Sequence, residues 1–594
     1  MITVCTVVGF ALTSIHATNA GSATWKSAPA SGIWPDSKNW TPATVPNGPN
    51  DTATFDVSSR TSITCQDQTD LELNGLVFNA GASAFTITAP AYESMSISGA
   101  GVINNSGATQ NFVIDDWGKL SFTNTATAGD NAVFTNTTGH SNPATTAFYD
   151  NSSAGNATFY NNSTIGDEWG GSTFFYGTST AGNATIINNP GGHSTAGSTL
   201  FFESSSAGNA VITNAASELD QGAGHEGQTN LTDSATLANA TVTNKGSQSL
   251  YGGVMFISND ATAGNATIIN EGGMGGGWSA WTMFWPYGHG GNATIINYGA
   301  TVENSGAGFT DFDSGSMAEN ATVIAYGGVG LYGGGVVLFA GDSDGGTARI
   351  ELFDNGTLSL DGHVGELTVG SIEGNGVVNT YNANLAVGSN NLDTTFAGRI
   401  IGSGRLTKLG VGRLVLANRN AYSGGTIIKD GELVVNGIGG SGTGGGAVEV
   451  VNGTLAGQGT INGAVTVGHG AAGRGILSPG RSAGGPRTLT VDGSLTFGFH
   501  GRYLCSFNSS KSTADQVVAN GVTIGRSIFQ LVDAAGSSLV PGVVFTVINN
   551  TAATPISGTF SNLPDGSTIA VGSNTFQANY EGGDGNDLTL TVVQ

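Results

Sequence analysis

The chain has 594 residues, a net charge of −24, only 10% charged residues, 96 glycines and 14 prolines. Glycine is far above its usual share of about 7% and charge far below the usual quarter, yet the glycines lack a Gly-X-Y period, which excludes collagen, and 39% apolar residues exclude a disordered acidic tail. Eighteen basic residues against 42 acidic ones argue against nucleic acid and anionic membrane surfaces as partners, because both require a basic footprint.

Residues 1–20 carry an apolar run from Ile2 to Leu12 and end in Ala17-Thr18-Asn19-Ala20. That run is too short to span a bilayer, and the segment reads as a signal peptide cleaved after Ala20, although no Lys or Arg precedes the run. Glycine, serine, threonine and asparagine interrupt every later apolar run, so no transmembrane helix is expected in the mature chain. Removing Cys5 with the leader leaves Cys65 and Cys505, which make neither a disulfide framework nor a zinc spacing; no metal or other cofactor is expected. Trp25, Trp34, Trp40 and Phe55 then suggest an aromatic N-terminal cap.

A repeat dominates residues 131 to 323. The unit Asn-Ala-(Thr/Val)-apolar recurs with its Asn at Asn131, Asn156, Asn183, Asn209, Asn239, Asn265, Asn292 and Asn320, at spacings of 25 to 30 residues. Five copies place a phenylalanine eight residues before the Asn (Phe148, Phe175, Phe201, Phe284, Phe312), with Phe122, Leu231 and Phe256 as near matches. Each copy reads as two short strands separated by a small-residue turn, such as 173–176, 179–182 and 184–187, without a helical apolar period. About 26 residues of strand and turn suit one coil of a right-handed parallel β-helix, an all-β solenoid. Stacked coils would set the eight asparagines one above another as an amide ladder, with the Phe and Ile columns filling the bore. Six of these asparagines are also N-x-Thr sequons; a glycan on every coil would crowd the stack, so the ladder is the preferred reading.

Within the repeats, Trp278, Trp281, Phe284, Trp285 and Tyr287 crowd into ten residues. Phe284 belongs to the core column. Trp278, Trp281, Trp285 and Tyr287 are candidate glycan contacts, since indole faces pack on the apolar faces of sugars; the alternative is a loop covering the bore.

Thirteen of the 18 basic residues lie at or beyond Arg349, and a second repeat type appears near them. It runs Gly402-Ser403-Gly404-Arg405-Leu406-Thr407-Lys408-Leu409-Gly410-Val411-Gly412-Arg413-Leu414-Val415-Leu416, then Asn420-Ala421-Tyr422-Ser423-Gly424-Gly425-Thr426 and Gly431-Glu432-Leu433-Val434-Val435. This string closely resembles the autotransporter-associated β-strand repeat of bacterial surface passengers. The Trp-rich start and the end, through Leu477-Ser478-Pro479-Gly480 and Tyr580-Glu581-Gly582-Gly583-Asp584-Gly585-Asn586-Asp587, are similar to the same group. The resemblance implies a β-helix exported to or beyond the cell surface, adhesive or structural in role. No translocator barrel is expected after the passenger-like end, because many alternating strands would be needed there.

The expected organisation is a signal peptide at 1–20, a Trp-rich cap and first strands at 21–100, Asn-Ala-Thr coils at 101–345, glycine-rich coils at 346–480 and a C-terminal β segment at 481–594. Catalytic look-alikes carry little. Ser179 lies in a turn that the repeat itself explains, Ser343 has no convincing His and Asp partners, and Asp115-Asp116 and His289 fall some six coils apart on a 26-residue period. The expectation is an exported, non-catalytic, monomeric surface or extracellular protein that meets host or environmental glycans or other cell-surface components. The rival is a polysaccharide-active β-helix lyase or hydrolase.

Overall fold

The structure, a computed structural model, describes residues 21–593 apart from 67–69, 139–141, 164–168, 192–195, 219–223, 438, 470–473 and 481–484. The expected leader at 1–20 lies outside the described residues. The chain is all-β and forms two compact units, 1–160 with 171–185 and 161–170 with 186–594. Each is a parallel β-solenoid in which a strand of one coil pairs in register with its counterpart in the next.

In the first unit, Gly48–Phe55, Leu71–Phe78, Ser94–Asn104, Lys119–Phe122, Thr145–Phe148 and Ser172–Phe175 form one sheet. Ser62–Thr64, Thr86–Ala89, Gln110–Ile114 and Ala132–Asn136 form another. Alternation sends every second side chain inward. Phe122, Phe148 and Phe175 stack at 4.8 and 4.9 Å, Phe112, Phe134 and Phe159 at 4.6 and 4.9 Å, and the two columns meet edge to face at 5.8 Å. The start of the unit is closed by fully buried Trp25, Trp34 and Trp40, whose rings meet edge to face at 5.0 and 4.8 Å.

The second unit repeats the two-sheet coil from Ser198–Phe201 onward, its inward column running Phe201, Leu231, Ile257, Phe284, Phe312 and Phe339. The turn between the strands of a coil needs a left-handed residue. Gly264 supplies it at φ 60°, its amide accepted by Thr262 Oγ1 at 3.1 Å, and a Cβ there would meet the Ala238 carbonyl oxygen at 2.9 Å. Further on the coil shortens: Thr322 pairs with Arg349, 27 residues away, whereas Leu406 pairs with Thr426, 20 away. A third parallel sheet opens at Glu366–Val369 and runs to Val522–Ile524. The chain closes in antiparallel strands Val544–Asn550, Thr568–Val571, Asn574–Gly582 and Asp587–Val592, the last two joined by a hairpin in which Gly582 pairs with Asp587.

Candidate functional site

The outward positions of the first sheet in the second unit form two columns. Gln228, Val254, Trp281, Phe309 and Val336 make one, and Asn230, Phe256, Met283, Asp311 and Leu338 the other. The Trp281 ring stacks on Phe309 at 4.9 Å and 25°. On its other side the column narrows to Val254, which leaves a hollow beside an indole. The long turns close it: Tyr251 and Trp278 meet at 5.8 Å, and the Trp278 amide is tied to the Leu250 carbonyl at 2.6 Å. The result is an apolar groove of about 270 Å³ lined by Tyr251, Val254, Phe256, Trp278, Trp281 and Met283, with Glu226, Gly252 and Ser279 at its border.

The polar details favour use of ring faces. Trp281 Nε1 already donates to Ser279 Oγ at 2.8 Å, and Trp278 is 59% exposed. Burial pushes the Glu226 carboxyl above its ordinary range, opposed by its own backbone amide and by His225. Asp311, between Met283 and Leu338, is pushed up to about 6 by burial and then by Asp313, and its Oδ1 has no hydrogen-bond partner.

Of the four candidate aromatics, Trp278 and Trp281 line the groove. Trp285 and Tyr287 sit on the turn beyond the strand Trp281–Phe284. Trp285 Nε1 donates to Ser314 Oγ at 2.9 Å, and the Tyr287 ring lies over Gly315, at φ 54° of its own. Phe256 faces outward because a one-residue displacement in a strand exchanges faces, so Ile257 fills the core position instead.

The repeat asparagines are all exposed. Asn183 donates to Asn156 at 2.9 Å, Asn239 to Asn209 and Asn265 to Asn239 at 3.3 Å, Asn292 to Asn265 at 3.1 Å and Asn320 to Asn292 at 3.2 Å. Asn131 stands one position off: Asn156 meets Asp130, while Asn131 accepts from Thr109 Oγ1 at 2.9 Å.

A second column, five residues farther along each coil, escaped the sequence reading. Asn161, Asn188, Asn214, Asn244, Asn270 and Asn297 are fully buried, and each of the first five passes an amide N–H to the Oδ1 of the next at 2.7 to 2.8 Å, while Asn297 at the end only accepts and its Nδ2 has no hydrogen-bond partner among the described residues. Each of the first five also donates to a carbonyl of the facing sheet, Asn244 to that of Trp281 at 3.1 Å, which anchors the groove strand from behind. The available signal was the Asn that ends the second strand of each coil, after Ile-Ile in three of the six.

Elsewhere the polar groups serve the coils. Ser343 Oγ donates to the Ala340 carbonyl at 2.8 Å, and His289 Nδ1 meets Glu319 Oε1 at 2.9 Å while Glu319 Oε2 accepts the Gly291 amide. Cys65 and Cys505 are free and buried. Among the described residues no group of three or more His, Cys, Asp or Glu converges to hold a metal, and no helix is long and apolar enough to cross a membrane.

Comparison with known proteins bears on the segment where the coil changes. Residues 406–435 match the passenger-associated-transport-repeat family. A 143-residue stretch, 24% of this chain, is 34% identical to the adhesin BmaC autotransporter of Brucella suis biovar 1 (strain 1330), and covers 4% of that protein. The chain carries a passenger-type autotransporter repeat at these residues. The matched repeat is the strands Leu406–Lys408, Arg413–Leu416, Thr426–Ile428 and Glu432–Val435, added to the second and third sheets. Its lysine, Lys408, is buried and donates through Nζ to the carbonyls of Leu409 and Gly410 at 2.5 and 2.9 Å.

Proposed function

We propose that this protein is an exported, surface-displayed β-solenoid that acts in adhesion, without catalysis, and that the groove between Trp278 and Trp281 is where it holds a glycan. The observation that carries this reading is the groove: Trp281 and Phe256 on an outward sheet face, with Tyr251 and Trp278 on the flanking turns, and the Trp281 N–H already satisfied so that its ring is the feature offered. A volume near 270 Å³ sits at the lower edge of the ~300–1,000 Å³ of pockets that enclose a whole small ligand, which suits part of a chain lying across the surface. Among the described residues one carboxylate, Glu226, borders the groove, whereas glycoside hydrolysis uses a pair. The passenger-type repeat supports export to the cell surface, and the relative named as an adhesin supports the adhesive role. A glycan array probed with the full chain and with Trp281→Ala tests the reading: a discrete set of glycans bound by the first and lost by the second is expected, and an array with no bound glycan overturns it.

A further inference from the structure

The basic residues gathered in the C-terminal part of the chain are put to different uses. Arg349 forks onto Glu373 at 2.6 and 2.7 Å, and Arg405 reaches Glu366 at 3.0 Å. Arg474 and Arg502 are different: neither holds an ion pair among the described residues, and they border the same groove.

That groove is built by register. Arg502 pairs with Ile476 on one side and Ile528 on the other, so the three follow one another across the outward face of a sheet. Arg474 stands just before the strand Gly475–Leu477, and Phe499, His500 and Gly501 lead into the strand Arg502–Asn508. Together they enclose about 400 Å³, with no carboxylate among the lining residues. Arg502 Nη1 donates to Gln530 Oε1 at 3.0 Å, one of its five donors, and the others have no protein partner among the described residues. Phe499 is 62% exposed, and His500 meets its ring edge-on at 4.7 Å.

We propose that this groove binds a small oxyanion-bearing ligand, a carboxylated or phosphorylated sugar. A planar guanidinium presents paired donors that match carboxylate and phosphate oxygens. Arg474 and His500 add further donors around the same volume, and the protein's large negative charge elsewhere makes a pocket without acids a distinct place for an anion. The exposed Phe499 ring and the two isoleucines supply apolar surface for a carbon skeleton, which a free inorganic ion would not use. This site is independent of the aromatic groove, and either can fail alone.

Calorimetric titration of the full chain with glucuronate, glucose 6-phosphate, inorganic phosphate and glucose tests it. Saturable binding of glucuronate or glucose 6-phosphate is expected, weakened at least tenfold by Arg502→Gln and by Arg474→Gln, and weakened by added salt as exposed charge contacts are. Arg502→Lys, which keeps the charge but loses the fork, should fall between, and Phe499→Ala should weaken the sugar ligands more than inorganic phosphate. Both arginines are exposed, so thermal melts of the glutamine variants should match the parent. Equal binding of glucose, binding of inorganic phosphate alone, no saturation with any oxyanion up to millimolar concentration, or unchanged binding in both glutamine variants would each overturn the proposal.

Discussion

Asn239 and Asn244 lie five residues apart in one coil and make the same kind of amide contact, yet replacing each by alanine should have very different consequences. Asn239 is exposed, donating to Asn209 and accepting from Asn265 at 3.3 Å. Water can replace both contacts, so Asn239→Ala should cost less than about 1 kcal/mol. Asn244 is fully buried; it accepts from Asn214 at 2.7 Å and donates to Asn270 at 2.8 Å and to the Trp281 carbonyl at 3.1 Å. Alanine there leaves a buried N–H of Asn214 without that partner and removes a donor from the part-buried Trp281 carbonyl. At roughly 1–3 kcal/mol for each orphaned group, the total is on the order of 3 kcal/mol. Coils interact mainly with their neighbours, so the loss should centre on the coils of Asn214 and Asn270. Hydrogen exchange alongside thermal melting would detect this as faster exchange in the strands Val211–Asn214, Thr267–Asn270 and Trp281–Phe284. If Asn244→Ala melted and exchanged like Asn239→Ala, the buried column would not be a source of stability and the reasoning would fail.

Further predictions concern charge. Burial lowers the pKa of Lys408 to about 8, with Asp430 and Asp393 opposing the shift. Between about 8 and the unfolded value near 10.4 the unfolded chain binds more protons, so stability should rise with pH across that window, by at most about 3 kcal/mol; Lys408→Met should flatten the rise in pH-dependent denaturant melts. Asp311 has the opposite sign: its folded value of about 6 lies above an unfolded value near 3.9, so stability should fall as pH climbs from about 4 to 6. Asp311→Asn should therefore raise stability at pH 7 by on the order of 1 kcal/mol after allowance for solvent screening, and an unchanged melting temperature at pH 7 would refute this.

The coil and its core were legible because they are periodic. Phe148, Phe175, Phe201, Phe284 and Phe312 recur at one phase, and a recurring apolar position in a two-strand repeat has only the bore to fill. What breaks the period was harder to read. Phe256 looked like a displaced core residue, but in a strand one position decides between bore and solvent, and it became a wall of the groove. Trp278 and Trp285 are seven residues apart in sequence, yet a strand separates them, so one borders the hollow beside Val254 and the other packs on the following turn. The buried asparagines were hidden by their own chemistry: a polar residue after an apolar pair such as Ile-Ile reads as the end of a strand, and only the stacking of coils shows that the amides from Asn161 to Asn270 find partners in the core. The third sheet from Glu366 onward was masked because a shorter, glycine-rich coil weakens the alternation that marks a strand.

Adhesion through the aromatic groove turns on the exposed face of Trp281, and tryptophan fluorescence during titration with an array-selected glycan tests it most directly. Binding by the full chain should be saturable, weakened at least tenfold in Trp281→Ala, as loss of one stacking ring worth about 1.5 kcal/mol would give, and unchanged in Trp285→Ala, whose ring lies outside the groove. Equal binding by Trp281→Ala and the parent, or loss in Trp285→Ala alone, would contradict it.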